Sequence, residues 1–298
     1  MKIFVTGANG FIGKAVVQEL FKHNHQVLGL ARNDTTKEAF LKIGVEPLPG
    51  DLTNLESLKT GAQSSDGVIH LAFRHDILAT DYVGAAEADN AAVRVMCEAL
   101  VGTGKPLVIA SGTLGLAGQD PGTEDSSPDR TPPFGQREVS ADLVREFSKK
   151  GVRGSVIRLT PTVHGAGDKA FIPMIMDTAR KNGVVTYVGD GSARWPAGHR
   201  DDAAVLFRLA VEKGTAGAVY HAVDEEGIAW KDIAAVISKH LNIPSEGKSM
   251  EEAVKTVGFL AHVQALDNPT SSEKTRAELG WTPTQPGLLA DMEANYFA

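Results

Sequence analysis

The nine residues V-T-G-A-N-G-F-I-G, Val5 to Gly13, restrict what this chain can fold into more than any other stretch. Gly7, Gly10 and Gly13 fall between a β-rich run, "KIFVT", and a segment from Phe11 to Phe21 in which Phe11, Ile12, Ala15, Val16 and Leu20 recur at helical spacing. In such a strand–turn–helix, Gly7 permits the tight turn, Gly10 lets the backbone approach a pyrophosphate, and Gly13 allows close packing of helix on strand. The first helical turn then offers amides and a positive dipole end to a phosphate. Asn9, Phe11 and Ile12 belong to the same loop and count with the glycines as cofactor-binding residues. The alternative is a tight βα turn without a ligand; the strand before and the helix after favour the nucleotide.

Strand-like runs alternate with helical patterns through the first half: "KIFVT", "QVLGL", "VEPLP", "GVIHLA", "PLVIAS" and "GSVIRL". Strict alternation predicts an α/β fold, a Rossmann-type doubly wound parallel sheet covered on both faces. After Arg158 the rhythm loosens. "TPTVHGAGDKA" reads as a loop, Phe171 to Asn182 as a helix, "VVTYVGDG" as a short strand, and a helix starts near Asp201. "AVYHAV" at 218–223 is expected to rejoin the main sheet, with further helices near 229–241, 249–257 and 271–279. The expected division is a nucleotide-binding domain over residues 1–165, completed by about 200–224, and a smaller, mainly helical substrate lobe from 166–199 and 225–298.

In "HQVLGLARND" the second strand ends at Ala31, where an NAD-selective site offers a carboxylate to the ribose 2′-hydroxyl, and Arg32 follows. Without the acid there is no repulsion, and a guanidinium grips a 2′-phosphate well. NADP(H) is therefore favoured over NAD(H). A net charge of -7 with no Lys/Arg block gives no electrostatic footprint for nucleic acid or an anionic membrane, which leaves a small molecule as the expected partner. The lone Cys97 excludes an intramolecular disulfide, and no metal-ligand spacing emerges, so no metal is expected. The opening residues lack the order of a signal peptide, and the expected compartment is the cytoplasm.

Taken together, these residues resemble the extended short-chain dehydrogenase/reductase superfamily, in its NAD-dependent epimerase/dehydratase group. "TGANGFIG" resembles its glycine motif, and "GDLTN", with Asp51 and Leu52, resembles its adenine contact. "HLAF", with Leu71, Ala72 and Phe73, is similar to its fourth-strand end, and Asn90 to its structural Asn. "RLTPTVHGAGD" is similar to its Arg-Pro-x-x-x-Tyr-Gly-Pro segment with His164 in the Tyr position, which implies cofactor contacts from Pro161 and Val163. "RWPAGHRDDAA" and "AELGWTP" resemble later family elements, so the likeness runs through nearly the whole chain. It also implies a homodimer through the fourth and fifth helices.

One stretch departs from the family. There a Tyr lies four residues before a Lys on one helix face, so that the cation lowers the phenol pKa and the phenol gives a proton to the substrate oxygen. In "PPFGQREVSADLV", Pro132 to Val144, the matching positions are Phe134 and Glu138. No Tyr-x-x-x-Lys occurs anywhere in the sequence.

Substitutes are expected at the same sheet edge. The family's Ser/Thr after the fifth strand matches Thr113 in "IASGTLG", and Ser111 ends the strand near the nicotinamide. His75, His164 and Arg137 are the candidate proton donors and polarising groups. In nucleotide-sugar members an Arg holds the substrate diphosphate; Arg194 is its nearest match, offset by one residue, and Trp195 is a candidate substrate wall or a packing residue. Three readings follow: an NADPH-dependent oxidoreductase acting on a small organic carbonyl, a nucleotide sensor without turnover, or an epimerase or dehydratase.

Overall fold

The computed structural model describes residues 1–77, 80–131 and 134–297, with only the backbone of Phe134. Five βα units come first: β1 (Lys2–Thr6), α1 (Phe11–Lys22), β2 (Gln26–Ala31), α2 (Asp34–Lys42), β3 (Glu46–Pro49), α3 (Leu55–Gln63), β4 (Gly67–His70), α4 (Tyr82–Ala99), β5 (Pro106–Gly112) and α5 (Glu138–Ser148). Next are β6 (Arg153–Leu159), β7 (Thr162–His164), α6 (Phe171–Asn182), β8 (Val185–Val188), β9 (Arg194–His199), α7 (Arg200–Lys213) and β10 (Val219–Ala222). The chain closes with β11 (Glu225–Ala229), α8 (Trp230–Leu241), β12 (Ser245–Lys248), α9 (Met250–Val257), α10 (Phe259–Gln264), α11 (Glu273–Leu279) and α12 (Leu288–Asn295).

Seven strands form one parallel sheet in the order β10-β6-β5-β4-β1-β2-β3. The order reverses between β1 and β4, and at such a switch point the connecting segments part and open a crevice at the strands' carboxyl ends. Alternation along β1 explains both faces: Ile3 and Val5 pack with α1 and α7, while Phe4 turns to the opposite core with Leu58, Ala62 and the α4 and α5 side chains. Cys97 is one of those buried residues, its thiol pushed up to about 12 by burial.

The smaller lobe carries more strand than its pattern suggested. "TPTVHGAGDKA", read as a loop, contains β7, which joins β9 and β11 in a three-stranded sheet, and β8 pairs with β12. Pro196 and Gly198 interrupt the β-former pattern of β9, and the exposed, polar β12 has no apolar alternation to reveal it. Tertiary pairing overrides weak local propensity here. This lobe has its own core, built on Trp195, Trp230, Ile172, Ile175, Leu260 and Met292.

Candidate active site

The glycine turn is shaped by contacts that exclude side chains. Gly7 has φ +71°, and a Cβ on it would lie 2.8 Å from the Ala72 nitrogen; a Cβ on Gly13 would lie 2.0 Å from the Gly7 oxygen. The chain leaving β4 therefore crosses directly over the turn, and α1 abuts the end of β1. Gly10 caps α1 with no side-chain hydrogen bond and no acid in the first turn. The amides of that turn remain directed at the crevice, a fit for a phosphate group. Asn9 is exposed, Phe11 and Ile12 are half-buried, and the Arg200 guanidinium lies 5.0 Å from the Phe11 ring.

On the β2–β3 side, Arg32 is exposed beyond the buried Ala31. Asp51 Oδ1 accepts from the Thr53 hydroxyl and amide at 2.7 Å and from the Asn54 amide at 3.1 Å. These bonds, led by the Thr53 hydroxyl, hold its carboxyl below the usual range. Leu52 is buried and Leu71 and Ala72 are half-buried.

On the β4–β5 side the centre is Arg137, in a short 3-10 turn, Phe134–Arg137, just before α5. Its Nη2 donates to the Ala110 carbonyl at 2.9 Å, and its guanidinium lies 4.1 Å from the centroid of Phe73. The His75 ring meets Phe73 edge-on at 5.4 Å; although the residue keeps an exposed surface, the protein packed around the ring, followed by the Arg137 charge, pushes its pKa below the usual histidine value. His75 is thus a neutral imidazole at pH 7. Glu138, in the Lys position of the family motif, is buried and turned to Arg158 and Arg145 at 3.8 and 3.9 Å. Pro132 and Pro133 of the same stretch lie outside the described residues.

Tyr82 was missed by the sequence reading because nothing in its local motif marks it. It opens α4, seven residues before Asp89 and so on the same helix face. Asp89 reaches β4 and α5: its Oδ1 accepts from His70 Nε2 at 3.2 Å and its Oδ2 from Ser140 Oγ at 2.8 Å. Tyr82 is half-buried at the start of this helix, where burial raises its phenol pKa and the Arg137 charge opposes the rise. Behind it runs a buried polar chain from the glycine turn: Thr6 Oγ1 lies 2.8 Å from His70 Nδ1 and accepts from the Leu71 and Ala72 amides at 3.2 Å. Asn90 Oδ1 closes the chain 2.6 Å from Ser140 Oγ.

Other expected site residues are placed differently. Thr113 is fully buried, and its hydroxyl accepts from Asn268 Nδ2 at 3.3 Å; Ser111 is buried at the strand end. His164 is withdrawn from the crevice in a buried pair, Nδ1 to Asp291 Oδ2 at 2.8 Å, with its ring edge-on to His199. His164, His199 and Asp291 bring ligand-type atoms within 4.8 Å of one another, a grouping that their sequence spacing did not suggest. The Asp201 amide donates to His199 Nδ1 and His164 Nδ1 is paired with Asp291, so one ring nitrogen of each histidine is already used within the fold. Pro161 is half-buried and Val163 buried beside them. Trp195 is no substrate wall: it is wholly buried between Phe171 and Trp230, with Nε1 donating to the Leu266 carbonyl. Arg194 is not a free anion clamp either, because Asp267 grips it through Nε and Nη2 at 3.0 and 2.7 Å and Asp120 lies at 3.2 Å.

Residues 3–224 match the family model described as Epimerase, the NAD dependent epimerase/dehydratase family. The chain belongs to this family. With it comes membership of the extended short-chain dehydrogenase/reductase superfamily, whose members are NAD(P)-dependent oxidoreductases, epimerases and dehydratases. An uncharacterised protein of Saccharomyces cerevisiae is 46% identical over 301 residues, covering 99% of each chain. A 4-hydroxy-2-methyl-3-oxo-4-farnesyl-3,4-dihydroquinoline-1-oxide ketoreductase of Stigmatella aurantiaca is 25% identical over 265 residues, 83% of this chain and 75% of its own. Among solved structures, MoeE5 in complex with UDP-glucuronic acid and NAD superposes with a TM-score of 0.78 at 20% identity, over 99% of this chain and 97% of its own. That likeness carries the Rossmann-type fold. Among the described residues, no helix is long and apolar enough to cross a membrane.

Proposed function

We propose that this family member is an NADPH-dependent reductase of a small, uncharged organic carbonyl. The observation that carries the reading is Arg137, a guanidinium fixed on Ala110 and Phe73 at the ends of β4 and β5. The bound dinucleotide supplies hydride chemistry. The glycine turn and the first turn of α1 fit its pyrophosphate, and Arg32 fits a 2′-phosphate.

Hydride addition to a carbonyl carbon leaves charge on its oxygen, and that oxygen must gain a proton. Tyr82 is the donor this edge offers: its raised pKa keeps the phenol protonated at neutral pH, and Arg137 steadies the phenolate left behind. His75, neutral there, packs on Phe73 and shapes the pocket wall. Because Asp267 and Asp120 neutralise Arg194, the site favours an uncharged substrate over a sugar nucleotide, which argues against the epimerase or dehydratase reading. The relative named a ketoreductase points the same way. The sensor reading draws on a different observation, the burial of Thr113 against Asn268, which removes the family's third catalytic hydroxyl.

The test is NADPH binding by fluorescence followed by its oxidation against a panel of aldehydes, 3-oxo esters and quinones, with Arg137→Gln beside the parent. Carbonyl-dependent oxidation that the variant loses, with binding kept, supports a reductase. Tight binding with no oxidation supports the sensor.

A further inference from the structure

Arg74 was given no role in the sequence reading, yet it lies in the loop after β4, within the field of Asp51. The chain leaving β4 crosses the glycine turn at Leu71 and Ala72. Phe73 then faces Arg137 on the β5 side. Arg74 turns the other way and holds Asp76 in a two-pronged pair, Nε to Oδ1 and Nη2 to Oδ2 both at 2.8 Å. Fork-on-carboxylate is the geometry in which arginine also holds a phosphate. The pair stays at the mouth of the crevice, its side chains 31% and 56% exposed, so an incoming ligand can reach it.

Two further charges act on it. Arg32 at the end of β2 adds to the field that keeps the Asp76 carboxyl ionised, after the larger contribution of the Arg74 hydrogen bond. On the other flank, Arg74 feels Asp51 beyond β3. Asp76 is thus an anion paired to Arg74, with the Arg32 charge in its field, on the loop that follows the crossing over the glycine turn.

We propose that Arg74 and Arg32 form a two-armed 2′-phosphate clamp, and that Asp76 occupies the clamp as an internal stand-in which NADP(H) displaces. The inference rests on the NADPH reading and adds to it a second recognising residue and a built-in competitor. A dianionic 2′-phosphate presents more charge and more acceptor oxygens than one carboxylate, so it wins the exchange, whereas NAD(H), with a 2′-hydroxyl, does not. Asp76 thereby sharpens selection by setting a threshold that only the phosphorylated cofactor clears.

The experiment is a titration of the full-length protein with NADPH, NADH, adenosine 2′,5′-bisphosphate and ADP, for the parent, Arg32→Gln, Arg74→Gln and Asp76→Asn. All three sites are at the surface, and a melting curve for each variant checks the fold. Arg74→Gln is expected to weaken NADPH and the bisphosphate roughly tenfold or more and leave NADH and ADP unchanged. Asp76→Asn is expected to tighten the two 2′-phosphorylated ligands several-fold and leave the others unchanged. The clamp is overturned if Arg32→Gln alone erases the preference while Arg74→Gln does nothing. It is equally overturned if Asp76→Asn weakens NADPH and NADH alike, the signature of a carboxylate that holds ribose hydroxyls. A parent that prefers NADH, or binds neither, overturns the cofactor reading itself.

Discussion

The Arg137 guanidinium stacks 4.1 Å from the centroid of the Phe73 ring, which joins the turn before α5 to the loop after β4. The contact fixes a cation at the mouth of the crevice without the lysine that the family's motif would supply. With Nη2 committed to the Ala110 carbonyl and the guanidinium against Phe73, the group is held on two sides.

Arg137→Gln should lower kcat for carbonyl reduction by about a hundredfold, the usual cost of losing one preorganised electrostatic group. NADPH affinity should change little, because the cofactor is held by the glycine turn. Arg137→Lys keeps the charge but loses the planar stack, and steady-state kinetics should place it between the two.

Tyr82→Phe should cost about a hundredfold or more in kcat with KM nearly unchanged, as expected for a lost general acid. The pH profile separates it from His75. A phenol raised above its ordinary value of 10 keeps the reduction rate flat through neutral pH, with a fall only in the alkaline limb. A histidine donor with a pKa below 6.5 would give a fall that is already complete at pH 8.

Much of this architecture was legible in the sequence. The glycine turn and the strand alternation announced the sheet because buried parallel strands are continuous apolar runs, and tight turns admit only glycine. The sequence also lacks a Tyr-x-x-x-Lys, and its nearest match places Phe134 and Glu138 at those positions. The proposed pair, Tyr82 and Arg137, was not legible there, since the two lie 55 positions apart in the chain and are brought to one region only because α4 packs against the turn before α5. Burial was also invisible: Trp195 and His164 look like pocket residues in a string, and only the packing of α8 and α12 removes them. Arg74 went unnoticed because its partner and its role depend on where one loop crosses another.

Sugar nucleotides should fail to stabilise the protein. With Arg194 held by Asp267 and Asp120, UDP-glucose should produce no shift in melting temperature at concentrations where NADPH produces a clear one. A UDP-glucose shift that Arg194→Ala abolishes would reverse the choice of substrate class.

His221 makes folding sensitive to acid. It is wholly buried, with Nδ1 2.8 Å from the Ser271 carbonyl and Nε2 3.4 Å from Arg158 Nη1, and burial pushes its pKa down to about 3. The unfolded chain binds this proton below about pH 6.5 and the folded chain does not, so stability is full above that pH and lost as pH falls toward 3. The loss from this residue should approach about 1.4 kcal/mol per pH unit. Urea midpoints measured from pH 7 to 4.5 should show that slope flattened in His221→Asn.

The most direct test of the proposed activity is transfer of deuterium from the C4 position of labelled NADPH, with each carbonyl of the panel, read by mass spectrometry of the alcohol. One deuterium in the product, from one face of the cofactor only and lost in Tyr82→Phe, is the expected result. Tight NADPH binding with no deuterium in any product would contradict a reductase and leave a protein that reads the cofactor without consuming it.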